Sequence, residues 1–415
     1  MNKRLQVFIT IFFIGAGYAI TYALPFVQHV FADPLAEGLN ASYAQLGTLI
    51  AIYGIGNVIG APIGGWLCDK FNHKTIYLLS LVGNGILCFL FAMNMNYKFA
   101  IAIWIGLAIT GLFAYFPSHV KIVRLLGDED NQGQVFGLAE AAGGVGSVIV
   151  NGIALFLFAR AASNVGGIKY VSIGYGVASI VIAAILFFLI DSPEKVMDKK
   201  QSHVDKVKAS DFIEVLKLPG TWYTGIAIFC VYSLYASLQS FTHYYTNVLG
   251  ISATIAGGVA IVRTYVIRTF GAPLGGYVGD KIGSVSKAIG IAAAGAILTI
   301  LAIMILPHST PISIFIALTL LVSVFTYVGR ANMFAVQSEV KIPEKFSATA
   351  AGITCAIGFS PDLFQYTLFG NWIDKYGNGG YKYIFIYTMA ILAIGIVNAI
   401  LSIRYKKKIE TQGNN

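Results

Sequence analysis

The stretch Gly60-Ala61-Pro62-Ile63-Gly64-Gly65-Trp66-Leu67-Cys68-Asp69-Lys70 recurs 211 residues later as Gly271-Ala272-Pro273-Leu274-Gly275-Gly276-Tyr277-Val278-Gly279-Asp280-Lys281, with seven of eleven positions identical. A repeat of that length at half the chain means two similar halves. Each copy closes an apolar run with small residues, then an acid and a base. A helix ends this way where it reaches the edge of a bilayer. The sequence therefore predicts two copies of one helical unit in a membrane.

The rest of the chain agrees. Of its 415 residues 57% are hydrophobic and 11% charged, with mean hydropathy +0.73. Soluble proteins carry about 25% charged residues. Twelve apolar runs have spanning length, near 5–30, 42–68, 75–96, 99–122, 134–159 and 169–190, then 220–246, 252–279, 287–306, 312–337, 347–370 and 382–404. The first is too long for a cleaved signal peptide. The polar stretch 191–217 divides six runs from six and is expected to end in a short amphipathic helix over 209–218. The predicted organisation is a bundle at 1–190, a linker at 191–219 and a second bundle at 220–415.

The net charge of +9 does not point to nucleic acid, because the bases sit in short connectors. With the N-terminus inside, twenty of the 28 Lys and Arg fall on the inner side. Five fall outside (Lys98, Arg160, Lys169, Lys375 and Lys382) and three lie within runs. By the positive-inside rule both termini and the linker are cytoplasmic. Cys68, Cys88, Cys230 and Cys355 lie in or beside apolar runs, without metal or redox spacing, and read as packing residues.

The repeat, the six-plus-six pattern and the segment Gly65-Trp66-Leu67-Cys68-Asp69-Lys70-Phe71-Asn72-His73-Lys74 resemble the major facilitator superfamily over the whole chain. The resemblance implies an all-α integral membrane protein of twelve transmembrane helices in two halves related by pseudo-two-fold symmetry. The family has Gly where Asn72 stands; Asn also tolerates a left-handed turn. The second copy has Gly283 there, followed by Lys287. The conformational motif is Gly65, Asp69, Lys70 and Lys74 in one half, and Gly276, Asp280 and Lys281 in the other. In the family the acid meets the start of helix eleven, here near Ser347. Asp69 is thus expected to latch the cytoplasmic side, held in place by Lys74.

Ionisable residues within spanning helices normally face a cavity or a partner. Here they are Glu140 on run five, Arg263 and Arg268 on eight, Arg330 on ten and Asp362 on eleven. The resemblance puts these runs among those that line the cavity. Arg268 lies five residues past Arg263, so the two face different directions. Runs five and eight meet in the family fold. Glu140 and Arg268 would then form a cytoplasmic gate, with Gly137, Gly143, Gly144 and Gly146 allowing close approach. Three arginines against two carboxylates leave a positive charge that suits an anion, and arginine presents a planar fork to carboxylate or phosphate. Tyr18 and Tyr22 on run one and Tyr232, Tyr235 and Gln239 on run seven are candidate contacts, with His243 and Tyr244 above them. Tyr327 and Asn332 flank Arg330. Ser360-Pro361-Asp362 puts a helix break beside a buried acid. From Glu339 to Asp362 the chain looks similar to bacterial transporters of organic anions and sugar phosphates.

These readings predict a secondary transporter for a small organic anion, with its site between the halves, in a bacterial inner membrane. Arg263 grips the anion and Arg330 is the second contact. Asp362 pairs with Arg263 when the site is empty, and takes a proton when substrate displaces it. Exchange against a counter-anion without protons is the alternative. No cofactor or metal is expected, and the family is usually monomeric. An integral-membrane enzyme is the rival of another class. The chain has no HExxH, nucleophile elbow or P-loop, and His29, His73, His119, His243 and His308 lie near run ends. A sensor that kept the fold and lost transport is the third reading.

Overall fold

The computed structural model describes residues 3–70, 72–126, 132–190, 209–307, 310–343 and 346–412. The first half holds α1 (Lys3–Thr21), α2 (Gln28–Leu39), α3 (Tyr43–Lys70) and α4 (His73–Met93). Next come α5 (Tyr97–Ala108), which passes through a π segment (Ile109–Tyr115) into α6 (Phe116–Leu126), then α7 (Gln132–Ala159) and α8 (Asn164–Leu189). The second half starts with α9 (Ala209–Lys217) and α10 (Pro219–Asn247). There follow α11 (Ala253–Ile261), a second π segment (Val262–Val266), α12 (Ile267–Ile282), α13 (Val285–Ile305) and α14 (Ile312–Asn332). The chain closes with α15 (Val336–Glu339), α16 (Ser347–Gly358), α17 (Pro361–Tyr376) and α18 (Gly380–Gln412).

All twelve predicted runs are helical. Among the described residues, eight helical stretches are long and apolar enough to cross a membrane, the last running from Ala350 to Thr411 through more than one helix. Two runs are broken at prolines. Run one unwinds over residues 22–27, where Pro25 lacks the N–H a continuous helix needs; Trp104 Nε1 donates to the Pro25 carbonyl at 3.3 Å. Run eleven breaks as its sequence predicts. Pro361 takes the first position of α17, and the Ser360 hydroxyl donates to the Ile357 carbonyl at 2.7 Å.

The chain divides into two compact units. One is Met1–His203 with Ile251–Ile261, the other Val204–Gly250 with Val262–Asn415. In the first unit α1 packs on α7, α4 on α8, and α11 on α2 and α7. A methyl group on Gly15 would lie 2.4 Å from the Ala142 backbone, so only glycine lets α1 come so close. This places a correction on α7. Gly143 faces Tyr18 and Gly146 faces the Gly15 carbonyl, so these two small residues serve the α1 seam; the surroundings of Gly137 lie outside what the structure describes. In the second unit α10 packs on α16 and α18, α12 on α14, and α13 on α14 and α18.

The two copies of the repeat turn differently. Gly283 has φ +69°, the left-handed conformation expected there. Asn72 does not: its φ is −60° and ψ 111°, and its side chain accepts from the N–H groups of Lys74 and Thr75. It is the N-cap of α4, the position where Asn is among the best residues. Lys74 is also assigned differently. Its Nζ donates to the Ile190 carbonyl at 2.5 Å, at the C-terminal end of α8. Cations suit that end of a helix.

Candidate functional site

Four elements of the second unit bring the site together. The break before α17 puts Asp362 in the first turn of that helix, where the amide ends favour a negative charge. Asp362 is 1% exposed. Its Oδ2 accepts from the Tyr232 hydroxyl at 2.8 Å, and its Oδ1 has no hydrogen-bond partner. Arg330, near the end of α14, holds its guanidinium 4.2 Å from the Tyr235 ring centroid and 5.7 Å from that of Tyr232. The cation is set against the negative faces of the two tyrosines. It also acts through space on Asp362, and its Nη1 has no partner.

Arg263 lies on the second π segment and is 0% exposed. Its Nη2 donates to the Thr242 hydroxyl at 2.6 Å, and the guanidinium stands about 6 Å from the rings of Phe241 and Tyr245. Nε and Nη1 have no partner. Among the described residues neither Arg263 nor Arg330 forms an ion pair. The expected pair of Asp362 with Arg263 is therefore not made. The reason is the level along α10: Asp362 meets it at Tyr232 and Arg263 at Thr242, ten residues or about 15 Å further on. Arg330 is the cation beside Asp362.

The other predicted residues fall into three groups. Tyr232 and Tyr235 lie with ring centroids 5.6 Å apart, tilted by 38°, and both stand beside Arg330. Gln239 lies on the same side of α10, 8% exposed, with Nε2 3.4 Å from His243 Nε2 and Oε1 without a partner. Asn332 does not join them. Its amide donates to the Gly275 and Val328 carbonyls, at 2.8 and 2.9 Å, and pins α12 to α14. Tyr327 likewise donates to the Thr264 carbonyl beside Arg263. Arg268 is half-buried on α12 and acts through space on Tyr327. The side chains of Asp69, Lys70, Glu140 and Asp280, and the surroundings of Gly65, lie outside the described residues, so the proposed gate and latch do too. Gly276 has no atom within 4 Å of the place a methyl group would take, and Lys281 is exposed.

In the first unit the rings of Tyr18 and Tyr22 lie 4.7 Å apart, tilted by 47°. His119 lies 5.6 Å from the Tyr18 ring and 5.5 Å from that of Tyr115, and its Nδ1 is 3.4 Å from the Tyr115 hydroxyl. It is not at a run end: α6 extends to Leu126, so His119 sits inside a continuous helix and is 8% exposed. Sequence reasoning also missed the polar network of Gln365 with Ser233 and Ser237 (2.6–3.1 Å), which joins α17 to α10. Gln365 lies three residues past Asp362, so helical spacing puts the two on one side of α17.

Comparison with known proteins gives the same picture. The chain is 28% identical to the inner membrane protein YqcE of Escherichia coli K12 over 94% of this chain and 93% of that one. It is 26% identical to YihN of the same organism, over 94% and 92%. A bacterial homologue of the human lysosomal transporter Spinster, crystallised inward-facing and unoccupied, superposes with a TM-score of 0.76 over 98% of each chain at 19% identity. The family model of the Major Facilitator Superfamily matches residues 7–361. With that match over most of its length, the chain belongs to the Major Facilitator Superfamily, as an integral membrane transporter.

Proposed function

We propose that this transporter moves a small organic anion, carboxylate or phosphate-bearing, coupled to protons. The observation that carries the reading is Arg263: wholly buried, bonded only to the neutral hydroxyls of Thr242 and Tyr245, with two guanidinium nitrogens unpartnered and no ion pair among the described residues. An unpaired buried charge is costly, and a protein keeps one where an opposite charge arrives in the working cycle. Arg330 offers the second contact, with Tyr232 and Tyr235 beside it. Asp362, next to Arg330 and with one oxygen unpartnered, is the proton carrier.

The chain works by alternating access, as a monomer, with bundles at 1–190 and 220–415 joined by the linker 191–219. Both termini are cytoplasmic, by the distribution of bases. The inner membrane is its location, as the names of YqcE and YihN say of those relatives. Tyr18 and Tyr22 are substrate contacts of the first unit.

Uptake into proteoliposomes tests the reading. Carboxylates, sugar phosphates and sulfonates are offered with and without a pH gradient that is acid outside the vesicles. Accumulation of an anion that rises with the gradient and is lost in Arg263→Ala is expected. Transport of cations or neutral solutes only would sink the anion; uptake that needs a counter-anion inside and ignores pH would replace symport by exchange.

A further inference from the structure

Tyr235 and Thr242 are seven residues apart on α10, about two helical turns, so they share one side of the helix roughly 10 Å apart. Arg330 stands against the first and Arg263 is bonded to the second. Gln239 lies between them on the same side, four residues past Tyr235 and three before Thr242. Each of the three carries a buried polar atom with no partner: Nη1 of Arg330, Oε1 of Gln239, and Nε and Nη1 of Arg263. Along α10 the order is donor, acceptor, donor. Buried polar atoms in native proteins are nearly all satisfied, and each exception asks for an explanation.

One carboxylate or phosphate cannot satisfy this row. A guanidinium holds its anionic acceptor at about 2.8 Å. A single small acid group therefore cannot touch two guanidiniums at levels roughly 10 Å apart. Two acid groups at opposite ends of one molecule can. The acceptor between them calls for a hydroxyl on the middle of that molecule.

We infer that the substrate is a hydroxylated dianion, acidic at both ends of a chain of about four to six carbons, lying along α10 with one end on Arg330, the other on Arg263 and a hydroxyl donating to Gln239. This rests on the anion reading and sharpens it. Recognition at both ends also explains why the second unit carries two arginines at different levels without ion pairs among the described residues.

The test uses the purified full chain and three probes of equal carbon number. D-Glucarate has two acid ends and hydroxyls, D-gluconate lacks one acid end, and adipate lacks the hydroxyls. Binding by calorimetry and competition is expected to rank glucarate ahead of gluconate by about tenfold or more, since a charge-assisted contact is lost. Adipate is expected to fall behind glucarate by a smaller factor, and that factor should shrink in Gln239→Leu. In Arg263→Lys and Arg330→Lys, which keep charge and bulk, the glucarate-to-gluconate ratio should fall toward one. Gluconate binding as tightly as glucarate to the unaltered protein would overturn the two-ended site and leave the anion reading standing. If monoanions of the wider panel are the only ligands, the two-ended site is likewise wrong. If no anion binds at all, the anion reading fails as well.

Discussion

Tyr232 donates its hydroxyl hydrogen to Asp362 across 2.8 Å, tying the middle of α10 to the first turn of α17 beside the helix break. That bond holds one carboxylate oxygen and leaves the other without a partner. If this acid carries the proton, Asp362→Asn keeps the shape of the turn and removes the titration. Accumulation driven by a pH gradient should disappear, while counterflow of labelled substrate across the membrane continues. Gradient-driven accumulation at the original level in this variant would rule out the assignment.

Arg330 depends on its planar shape. A lysine at 330 keeps the charge but loses the fork and the flat contact with Tyr235 at 4.2 Å. Arg330→Lys is expected to raise KM about tenfold with a smaller change in kcat. A Tyr235→Leu variant should move KM in the same direction, measured by initial-rate uptake.

Asn332 gives a contrast two residues away. It bridges α14 to the Gly275 carbonyl, and a methyl group on Gly279 would lie 2.0 Å from its Oδ1. Asn332→Ala should cost about 1–3 kcal/mol of stability, because the buried amide hydrogen bond that joins α14 to α12 is lost. The readout is a lower melting temperature in detergent with KM unchanged in the folded fraction.

The adjacent glycines of the second repeat copy separate packing from motion. A methyl group on Gly275 would meet the Cα of Val328 at 2.7 Å, whereas one on Gly276 meets nothing within 4 Å. Gly275→Ala should therefore destabilise by about 1–3 kcal/mol. Gly276→Ala should melt like the unaltered protein, so any loss of transport in it reports on conformational change alone.

Asp69 remains the proposed latch. Asp69→Asn should slow turnover and leave substrate affinity nearly intact, as read by equilibrium binding beside uptake rates. Loss of binding would place the residue in folding or in the site instead.

The helices were legible because membrane burial writes itself into composition run by run, and the repeat fixed how the runs divide. The break at Pro361 was legible for the same reason as any proline in a helix. The break at Pro25 carried the same signal and was overlooked inside a long apolar run. Two readings, the site role of Asn332 and the turn at Asn72, failed on local geometry that the sequence carries. Asn332 is two residues from Arg330, about 200° around the helix, so one faces the site and the other the α12 seam. Asn72 precedes Lys74 and Thr75 just where a cap is wanted, and its side chain accepts from both. The facing of Arg263 was not legible, because it lies on a π segment whose residues, Val262–Val266, read as ordinary helix formers.

That segment has a consequence of its own. A π turn holds one residue more than an α turn, so the helix through it carries a surplus. Excising a single residue between Ile261 and Ile267 would let regular winding resume with the flanking helices near their present register, and would turn only the side chains of the segment itself. Arg263 would then leave its threonine and aim elsewhere, with no side chain of the site replaced. The proposed grip on an anion is in this sense written in the count of residues as much as in their identity.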